Sequence, residues 1–460
     1  MPGHAARNLI QRKDGRAETG QSARMWPYHP DLLAKPVPRY TSYPTAADFA
    51  EIAPSCHAEA LERVEDAVSL YLHIPFCEKI CFYCGCNTSA TGRRQRLETY
   101  LLALKQEIAT VAGHLPAGTP VKRIAFGGGS PNAIAPEDFL QLVETLGTHF
   151  NIEQADWSIE LDPRTMTRAW NEAISQVGIS SASLGVQTFA AHCQGAIGRV
   201  QGESVIARTV EWLRDAGVTS LNFDLMYGLP FQTEGDLADT LDRSISLGAD
   251  RIALFGYAHV PHIVPRQKVI DATRLPDQQA RFDMAWQGFE RLTESDYRAI
   301  GFDHFAKPGD PLALAAADGS LRRNFQGFTT GRARTLIGLG ASAISSYPDL
   351  LSQNEKNTGR YRMLSSQGLL SANHGTRRSA DDRYRGAVIE GLLCRGSARL
   401  GACLLHEVRA PLQPFVERGL ARLDDQWLCI TEAGRPYART IAALFDGYRP
   451  VSARQFSSAV

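Results

Sequence analysis

Residues 71 to 88 read YLHIPFCEKICFYCGCNT and place four cysteines within ten residues. The cysteines are Cys77, Cys81, Cys84 and Cys86. The first three have the spacing C-x3-C-x2-C. The run VSLYLHI at 68 to 74 is apolar and partly β-branched, which is typical of a buried strand. We therefore predict a buried strand that ends in a loop carrying a cluster of thiols.

Strand-like runs and helical segments alternate from this loop to about residue 300. Between residues 97 and 111, for example, apolar side chains recur at helical spacing. At least six such alternations predict a parallel sheet with helical crossovers, and continuous apolar character predicts helices on both faces. The predicted strands are VSLYLHI (68–74), VKRIAF (121–126), DWSIEL (156–161), SSASLGV (180–186), SLNFDLM (220–226), RIALFGY (251–257) and YRAIGF (297–302).

Polar residues and glycines gather at the carboxyl ends of these predicted strands. In a barrel those ends form one rim where catalytic groups converge, whereas an open doubly wound sheet would spread them along a line. We therefore predict an α/β fold with a partial or full (β/α) barrel. The rim residues are the cysteine loop, Gly127 to Ser130, Glu160, Gln187, Asp224 and Ala258 to His259.

The composition argues against several classes of function. The 460 residues carry 49 lysines and arginines against 49 aspartates and glutamates, so no net charge draws the chain to nucleic acid. No segment approaches the roughly 18 uninterrupted apolar residues of a membrane span. The nine cysteines are too unevenly placed for a disulfide framework and favour a reducing compartment. We expect a cytoplasmic protein with no nucleic-acid partner and no membrane span.

Three thiols on one short loop favour an iron–sulfur cluster over zinc. Structural zinc usually takes four ligands from two separated pairs, and no second pair follows this loop. A 4Fe-4S cluster normally has four thiolate ligands, so three would leave one iron open to another molecule. Two alternatives stay open. Cys86 could be the fourth ligand of a closed, electron-carrying cluster, or the loop could hold zinc.

The C-x3-C-x2-C loop resembles the signature of radical S-adenosylmethionine (SAM) enzymes. The longer stretch YLHIPFCEKICFYCGC closely resembles that of the oxygen-independent coproporphyrinogen III oxidases. The resemblance implies a partial or full barrel of the radical SAM type. Eight further matches follow in order: PRYTSYPTA (38–46), GGGSPN (127–132), IELDPR (159–164), LGVQTF (184–189), FDLMYGLPFQT (223–233), GYAHVP (256–261), DHFAKP (303–308) and RNFQGFTT (323–330).

The resemblance also implies the cofactors, a 4Fe-4S cluster and one or two SAM molecules. The implied cluster ligands are Cys77, Cys81 and Cys84, with Cys86 as an additional cysteine that is not a ligand. The SAM on the cluster would be contacted by Tyr71, Gly128, Glu160 and Ile344. A second SAM would be contacted by Tyr83, Gly129, Ser130, Gln187, Arg199, Asp224 and Ala258. These residue types suit the task, because glycines allow close backbone approach and an arginine fork pairs with a carboxylate.

The implied reaction is the oxidative decarboxylation of two propionates of coproporphyrinogen III to vinyl groups, giving protoporphyrinogen IX in haem biosynthesis. A 5′-deoxyadenosyl radical would remove a hydrogen atom from the carbon β to each carboxylate. The residues implied as catalytic are Tyr71, Glu160, Phe325, Gln326 and Ile344, and Arg39 is the candidate for substrate binding. We expect a monomer that takes electrons from a small protein such as flavodoxin or ferredoxin. The alternatives are a related radical SAM enzyme that acts on haem and a haem chaperone without decarboxylase activity.

Two positions depart from the family pattern. GGGSPN carries Asn132 in place of the threonine of GGGTPT, while Ser130 keeps a hydroxyl, so we expect cofactor binding to be retained. RNFQGF carries Phe328 where tyrosine is common, which removes one hydroxyl from the predicted substrate face.

Four parts of the chain are predicted. They are a mobile leader (1–30), a strap over the site (31–66), the radical SAM barrel with its extension (67–375) and a mainly helical, winged-helix-like C-terminal domain (376–460). Within the last part we predict a hairpin, ARLDDQWLCI at 421 to 430, and a helix beginning near Thr431.

Overall fold

The structure is a computed structural model that describes residues 26–92 and 94–449. The leader predicted for 1–30 therefore lies outside the described residues up to position 25. The first described elements are α1 (Pro30–Leu33), a 3₁₀ turn (Ala46–Asp48), β1 (Ala50–Glu51) and α2 (Pro54–Glu62). Proline begins both helices, because its fixed φ suits a helix start and the first helical position needs no N–H.

Six parallel strands joined by helices form the centre of the molecule. The first of them, VSLYLHI, is buried at all seven positions, as its composition predicts. In chain order the elements are β2 (Val68–Ile74), β3 (Phe76–Cys77), β4 (Ser89–Ala90), α3 (Arg94–His114), β5 (Val121–Gly128), a 3₁₀ turn (Pro131–Ala133), α4 (Pro136–His149), β6 (Asp156–Leu161), a 3₁₀ turn (Pro163–Thr165), α5 (Arg168–Val177), β7 (Ser181–Gln187), α6 (Ala191–Ala196), α7 (Glu203–Asp215), β8 (Ser220–Tyr227), α8 (Glu234–Ser246) and β9 (Arg251–Gly256).

Capping residues set where the crossover helices begin and end. Thr233 and Asp236 form a reciprocal capping box at the start of α8. The Thr167 side chain accepts a hydrogen bond from the Trp170 N–H at the start of α5. Gly178 ends α5 in the left-handed conformation at φ +74°, which glycine adopts without strain. These caps fix where α5 and α8 begin and where α5 ends.

The remaining elements extend the sheet and add a C-terminal unit. They are 3₁₀ turns (Pro265–Val269 and Ala272–Arg274), α9 (Gln278–Glu294), β10 (Arg298–Ile300), β11 (His304–Ala306), α10 (Pro311–Asp318), β12 (Arg322–Asn324), β13 (Gly327–Thr329), β14 (Thr335–Leu339), β15 (Ile344–Ser346), β16 (Leu350–Asn354), α11 (Thr358–Ser365), β17 (Ala372–Arg377), α12 (Ala380–Arg395), β18 (Ser397–Arg399), α13 (Ala402–Glu417), β19 (Ala421–Asp424), β20 (Trp427–Ile430), a 3₁₀ turn (Arg435–Tyr437), α14 (Ala438–Ala442) and a 3₁₀ turn (Ala443–Phe445). No helix among the described residues combines the length and apolar character that a bilayer span requires.

Thirteen strands form one mixed sheet. Their order is β1-β17-β16-β15-β14-β2-β5-β6-β7-β8-β9-β11-β10. The strands from β14 to β9 in that order are parallel, and the sheet continues antiparallel on both sides. Its two edge strands, β1 and β10, do not pair with each other, so the sheet is not closed within the described part of the chain. The predicted (β/α) barrel is thus confirmed in its partial form.

The seventh predicted strand, YRAIGF at 297–302, is present but is not parallel. It forms β10, which pairs antiparallel with β11, and β11 in turn pairs antiparallel with β9. Only residues 301–303 join β10 to β11. A connection this short allows a hairpin but no crossover helix, so the alternation of strand and helix ends at β9.

The C-terminal region combines helices with a three-stranded sheet. The hairpin predicted at 421–430 is present as β19 and β20, and β18 pairs with β20. The helix expected near Thr431 begins only at Ala438. Thr431 instead accepts the Gly434 N–H at 3.1 Å and closes a turn before it. The proposed boundary at 375 falls inside β17, which belongs to the main sheet.

Candidate active site

A cavity of about 610 Å³, the thiol cavity, lies at the carboxyl ends of the parallel strands. Its lining includes Cys77, Cys81, Cys84 and Cys86. Cys77 is part of β3, and its Sγ is 3.3 Å from the Thr88 Oγ1. All nine cysteines of the chain are free. Four uncommitted thiols therefore converge on one space, as the loop spacing predicts.

Two arginines lie beside the buried thiol of Cys81. Arg164 Nη2 and Arg199 Nη1 are 3.5 and 3.4 Å from its Sγ. Both guanidinium groups also contact the Asp162 carboxylate, at 2.6 and 3.2 Å. This arrangement places two guanidinium groups next to the sulfur and joins them through one carboxylate.

Cys86, the exposed member of the four, interacts with Cys84. Its backbone N–H donates to the Cys84 Sγ at 3.4 Å. A hydrogen bond from the Cys86 side chain lowers the pKa of Cys84 to about 6. The same bond raises the pKa of Cys86, which keeps its proton. Cys86 therefore stabilises a negative sulfur at Cys84.

In the glycine-rich turn 127–130, the backbone packs directly against the segment that carries the thiols, because no side chain separates them. The Gly128 N–H donates to the Glu160 carboxylate at 3.2 Å. A Cβ on Gly129 would lie only 2.5 Å from the Phe76 carbonyl oxygen. Because no side chain fits there, glycine allows the turn to contact the strand that leads into Cys77.

Two carboxylates line the thiol cavity, Glu160 on β6 and Asp224 on β8. Desolvation in the cavity and, second, the charge of Asp224 together raise the pKa of Glu160 to about 7. Burial also raises the pKa of Asp224, although this side chain accepts hydrogen bonds from Ser183 and Asn222 at 3.0 and 2.8 Å. The two side chains offer acceptor oxygens to a ligand that carries ammonium or hydroxyl groups.

Most of the residues predicted to bind cofactor or substrate line this one cavity. They are Arg39, Tyr83, Gly128, Gly129, Ser130, Glu160, Gln187, Arg199, Asp224 and Ala258. Arg199 is already engaged, because its Nη2 donates to the Gly185 carbonyl at 2.6 Å. A ligand carboxylate would have to share this guanidinium. Arg39 donates to the Gly256 carbonyl at 3.1 Å, and its guanidinium lies 5.0 Å from the centre of the Phe255 ring.

The four other predicted residues lie next to the thiol cavity rather than in its lining. The Tyr71 ring packs edge-on against Phe325 with ring centres 5.1 Å apart, and its hydroxyl is 3.1 Å from the His73 Nδ1. Phe325, Gln326 and Ile344 line a second cavity of about 440 Å³. The structure thus divides the predicted site into two adjoining regions.

A third cavity, of about 300 Å³, occupies the barrel lumen and connects these regions. It shares Glu160 and Asp224 with the thiol cavity and Gln326 with the second cavity. His304 also lines the lumen, with its Nδ1 2.7 Å from the Asp303 Oδ1. The sequence assigns no role to His304, because nothing in its spacing connects it to distant strand ends. The motif DHFAKP, which contains it, is the one available signal.

Comparison with known proteins decides the family. The radical SAM superfamily model matches residues 71–243. Oxygen-independent coproporphyrinogen III oxidase from Bradyrhizobium diazoefficiens is 40% identical over 437 residues, which is 92% of this chain and 97% of that protein. The protein of the same name from Pseudomonas aeruginosa is 40% identical over 440 residues, 92% of this chain and 96% of that protein. The solved coproporphyrinogen III oxidase (HemN) from Escherichia coli, described as a radical SAM enzyme, is 36% identical with a TM-score of 0.86, and the match covers 92% of this chain and 100% of that one.

The chain belongs to the oxygen-independent coproporphyrinogen III oxidases. In this member of the family, the two departures from the common motifs have defined contacts. Asn132 accepts the Ser130 hydroxyl at 2.6 Å and exchanges two hydrogen bonds with the Asp162 backbone, at 2.9 and 3.0 Å. It therefore ties the glycine turn to the end of β6. Phe328 is buried, and its ring packs edge-on against His304 with centres 5.1 Å apart.

The thiol cavity fits the two cofactors of a radical SAM coproporphyrinogen III oxidase, a 4Fe-4S cluster and SAM. Cys77, Cys81 and Cys84 present soft thiol ligands of the type that binds iron–sulfur clusters. The glycine turn leaves backbone groups open beside them, and Glu160 and Asp224 add hydrogen-bond acceptors. Soft donors on one side and polar acceptors on the other match a metal cluster with a polar organic ligand.

Proposed function

We propose that this chain converts two propionate side chains of coproporphyrinogen III to vinyl groups without oxygen, giving protoporphyrinogen IX in haem biosynthesis. The observation that carries the proposal is the convergence of Cys77, Cys81 and Cys84 on one cavity with Glu160 and Asp224. Support comes from relatives named for this activity, which the chain matches over 96 to 97% of their length.

We assign Cys77, Cys81 and Cys84 as the cluster ligands and leave Cys86 outside the ligand set. The hydrogen bonds from Cys86 then support the Cys84 sulfur instead of replacing it. When bound, the two cofactors supply an electron and the 5′-deoxyadenosyl radical that takes a hydrogen atom from the carbon β to a propionate carboxylate. The protein's task is to position the groups and to exclude water.

Side chains of the thiol cavity would orient the cofactor. Glu160 and Asp224 accept hydrogen bonds from amino and hydroxyl groups, and the backbone of Gly128 and Gly129 contacts the ligand directly. Arg199 shares its charge between Asp162 and a ligand carboxylate. The remaining lining residues, which we assign to a second SAM, are Tyr83, Ser130, Gln187 and Ala258.

The lumen is the proposed place of the reacting propionate, because it lies between the thiol cavity and Gln326. Phe325 and Ile344 line the adjoining 440 Å³ cavity, and the Tyr71 ring packs against Phe325. Arg39 reaches the thiol cavity from the strap, residues 31–66, and can pair with a carboxylate. After the hydrogen atom has left, the side chain loses CO2 and passes one electron to an external acceptor, which leaves a vinyl group. Two side chains react, so the product keeps two of the four propionates.

The electron that starts each cycle needs a source outside the chain. The described residues contain no second cluster of thiols that could store it. We infer a small donor protein such as flavodoxin or ferredoxin, a monomeric enzyme and a cytoplasmic location. The C-terminal unit from 376 onward is proposed as a domain that packs on the barrel, because Arg439 Nη2 donates to the Val37 carbonyl of the strap at 2.8 Å.

An anaerobic turnover assay tests the proposal. The cluster is reconstituted, and reductant, SAM and coproporphyrinogen III are added. We expect two molecules of CO2 for each protoporphyrinogen, measured by gas analysis and by chromatography of the oxidised porphyrins. Without SAM there should be no product. Stable haem binding without turnover would contradict the proposal and would favour a haem chaperone, and turnover of haem would favour a related radical SAM enzyme.

A further inference from the structure

The 440 Å³ cavity is strongly basic, and we call it the arginine cavity. It lies where the strap residues 40–43 meet the β12–β13 hairpin and α12. Its lining includes Arg123, Arg322, Arg323, Arg334, Arg378 and Arg383. Glu390 is the single acidic residue in that lining. Six guanidinium groups around one carboxylate leave a large excess of positive charge in one enclosed space.

Most of these arginines have no acidic partner within the described part of the chain. Arg322 pairs with Glu390 at 2.8 Å, and it is the single member of the set that forms an ion pair there. Arg383 donates only to the Arg378 carbonyl at 2.8 Å, and Arg123 only to the Thr329 hydroxyl at 3.0 Å. Neutral acceptors leave the positive charges uncompensated, so an anionic ligand would gain from all of them.

Two guanidinium nitrogens in this cavity are buried without any hydrogen-bond acceptor. They are Nη1 of Arg323 and Nε of Arg378. A buried donor without an acceptor is costly, and such groups are rare in folded proteins. Burial also lowers the pKa of both arginines, because the charge is poorly solvated. Both nitrogens lie beneath the cavity surface, so they add to its positive potential without facing a ligand directly.

Several apolar side chains also line the cavity. Leu70, Leu336, Ile344, Leu351 and Phe325 contribute walls between the arginines. An apolar surface surrounded by guanidinium groups is complementary to a hydrophobic molecule that carries several carboxylates, and inorganic phosphate would leave the apolar walls uncovered.

The arginine cavity adjoins the lumen. Arg123, Asn324, Gln326 and Thr329 line both, and Glu160 lines both the lumen and the thiol cavity. A ligand in the arginine cavity therefore lies against residues that also border the lumen.

We propose that the arginine cavity binds the propionates of the tetrapyrrole that are not reacting. This inference rests on the proposed function, in which only two of four propionates are lost. The two others persist through both decarboxylations, so a site for them holds the substrate, the half-reacted intermediate and the product alike. Arg334 and Arg383 are exposed members of the set, and they are placed to meet carboxylates at the mouth.

The test is the double variant Arg334→Gln/Arg383→Gln in the reconstituted anaerobic enzyme. Neither arginine forms an ion pair in the described residues, so we expect normal folding and a normal iron content. KM for coproporphyrinogen III should rise at least tenfold, with kcat within twofold of the wild type. The half-reacted tricarboxylate should accumulate, because weaker binding releases it before the second reaction. The matched control is Arg332→Gln, which is two residues away, exposed and outside the lining.

A binding experiment separates this inference from the proposed function. The probe is coproporphyrin III, titrated against the reconstituted enzyme without reductant and followed by quenching of tryptophan fluorescence. We expect the double variant to bind at least tenfold more weakly than wild type and than Arg332→Gln. The tetramethyl ester, which lacks the charges, should bind all three proteins equally. Equal binding of the free acid by all three would overturn the inference even if the enzyme is active. Weaker binding by the double variant would support it even if turnover fails.

Discussion

The thiol cavity and the arginine cavity both adjoin the lumen, but they differ in chemistry and in how their residues are distributed along the sequence. The four thiols come from a single ten-residue stretch, whereas the six arginines are spread from Arg123 to Arg383. The first cavity also collects two carboxylates, and the second collects guanidinium groups. A cluster must be bound by ligands in fixed geometry, which one loop can provide. A large substrate can be held by charges from several elements that the fold brings together.

Removing single thiols should produce the largest effect. It tests whether the one loop supplies all the ligands of the cluster. Cys77→Ala, Cys81→Ala or Cys84→Ala should abolish cluster loading and turnover, because each removes one proposed ligand. Iron and sulfide content per chain and the electron paramagnetic resonance spectrum of the reduced protein measure the loss. Cys86→Ala should keep the cluster, and the exposed Cys403→Ala serves as a control distant in sequence. Equal loss in Cys86→Ala would show a fourth thiolate ligand.

A methyl group at the glycine turn should have the next largest effect. Gly129→Ala places a Cβ 2.5 Å from the Phe76 carbonyl, in the two-residue strand that contains Cys77. Relieving this clash should cost about 1–3 kcal/mol in the free energy of unfolding and should weaken SAM binding. Urea denaturation and equilibrium dialysis with labelled SAM measure the two effects.

The matched control for this variant is Gly113→Ala in α3, where a Cβ would meet no atom within 4 Å. Helix propensity should make this variant about 0.5–1 kcal/mol more stable, with unchanged SAM affinity. A loss of stability in both variants would indicate a general sensitivity to side chains at glycine positions and not a specific requirement of the turn.

The two cavities also differ in how far the sequence predicts them. Local patterns predict the thiol loop and the six parallel strands, because each strand and crossover carries its own hydrophobic period. The strands β14 to β17 are not predicted, since short turns join β14 to β16 and no helical segment separates these three. Those strands contribute Ile344 and Leu351 to the arginine cavity. The prediction of Phe325, Gln326 and Ile344 as site residues therefore depends on motif resemblance alone. The convergence of the arginines is visible only in the folded chain.

A buried carboxylate, Glu107 on α3, supports the loop that follows β14. It accepts hydrogen bonds from the Gly340 N–H and the Tyr361 hydroxyl, both at 2.6 Å, and from the Asn354 amide at 2.7 Å. Gly340 begins the loop that leads to Ile344 in the arginine cavity. Glu107 is therefore a titratable group that joins α3 to this loop.

Titration of Glu107 should give the smallest effect, a pH dependence of stability. Burial raises its pKa to about 7 from an ordinary value of 4.5. Because the folded value is the higher one, protonation favours the folded state, and this contribution is lost as the pH rises from 4.5 through 7. The loss should be on the order of 3 kcal/mol. In Glu107→Gln, urea denaturation at pH 5 to 8 should show a flatter profile than in wild type. The variant should also be less stable at low pH, because a Gln amide N–H₂ cannot accept all three donors. The exposed Glu144→Gln should keep the wild-type slope, and a Glu107→Gln profile parallel to it would show that another group causes the pH dependence.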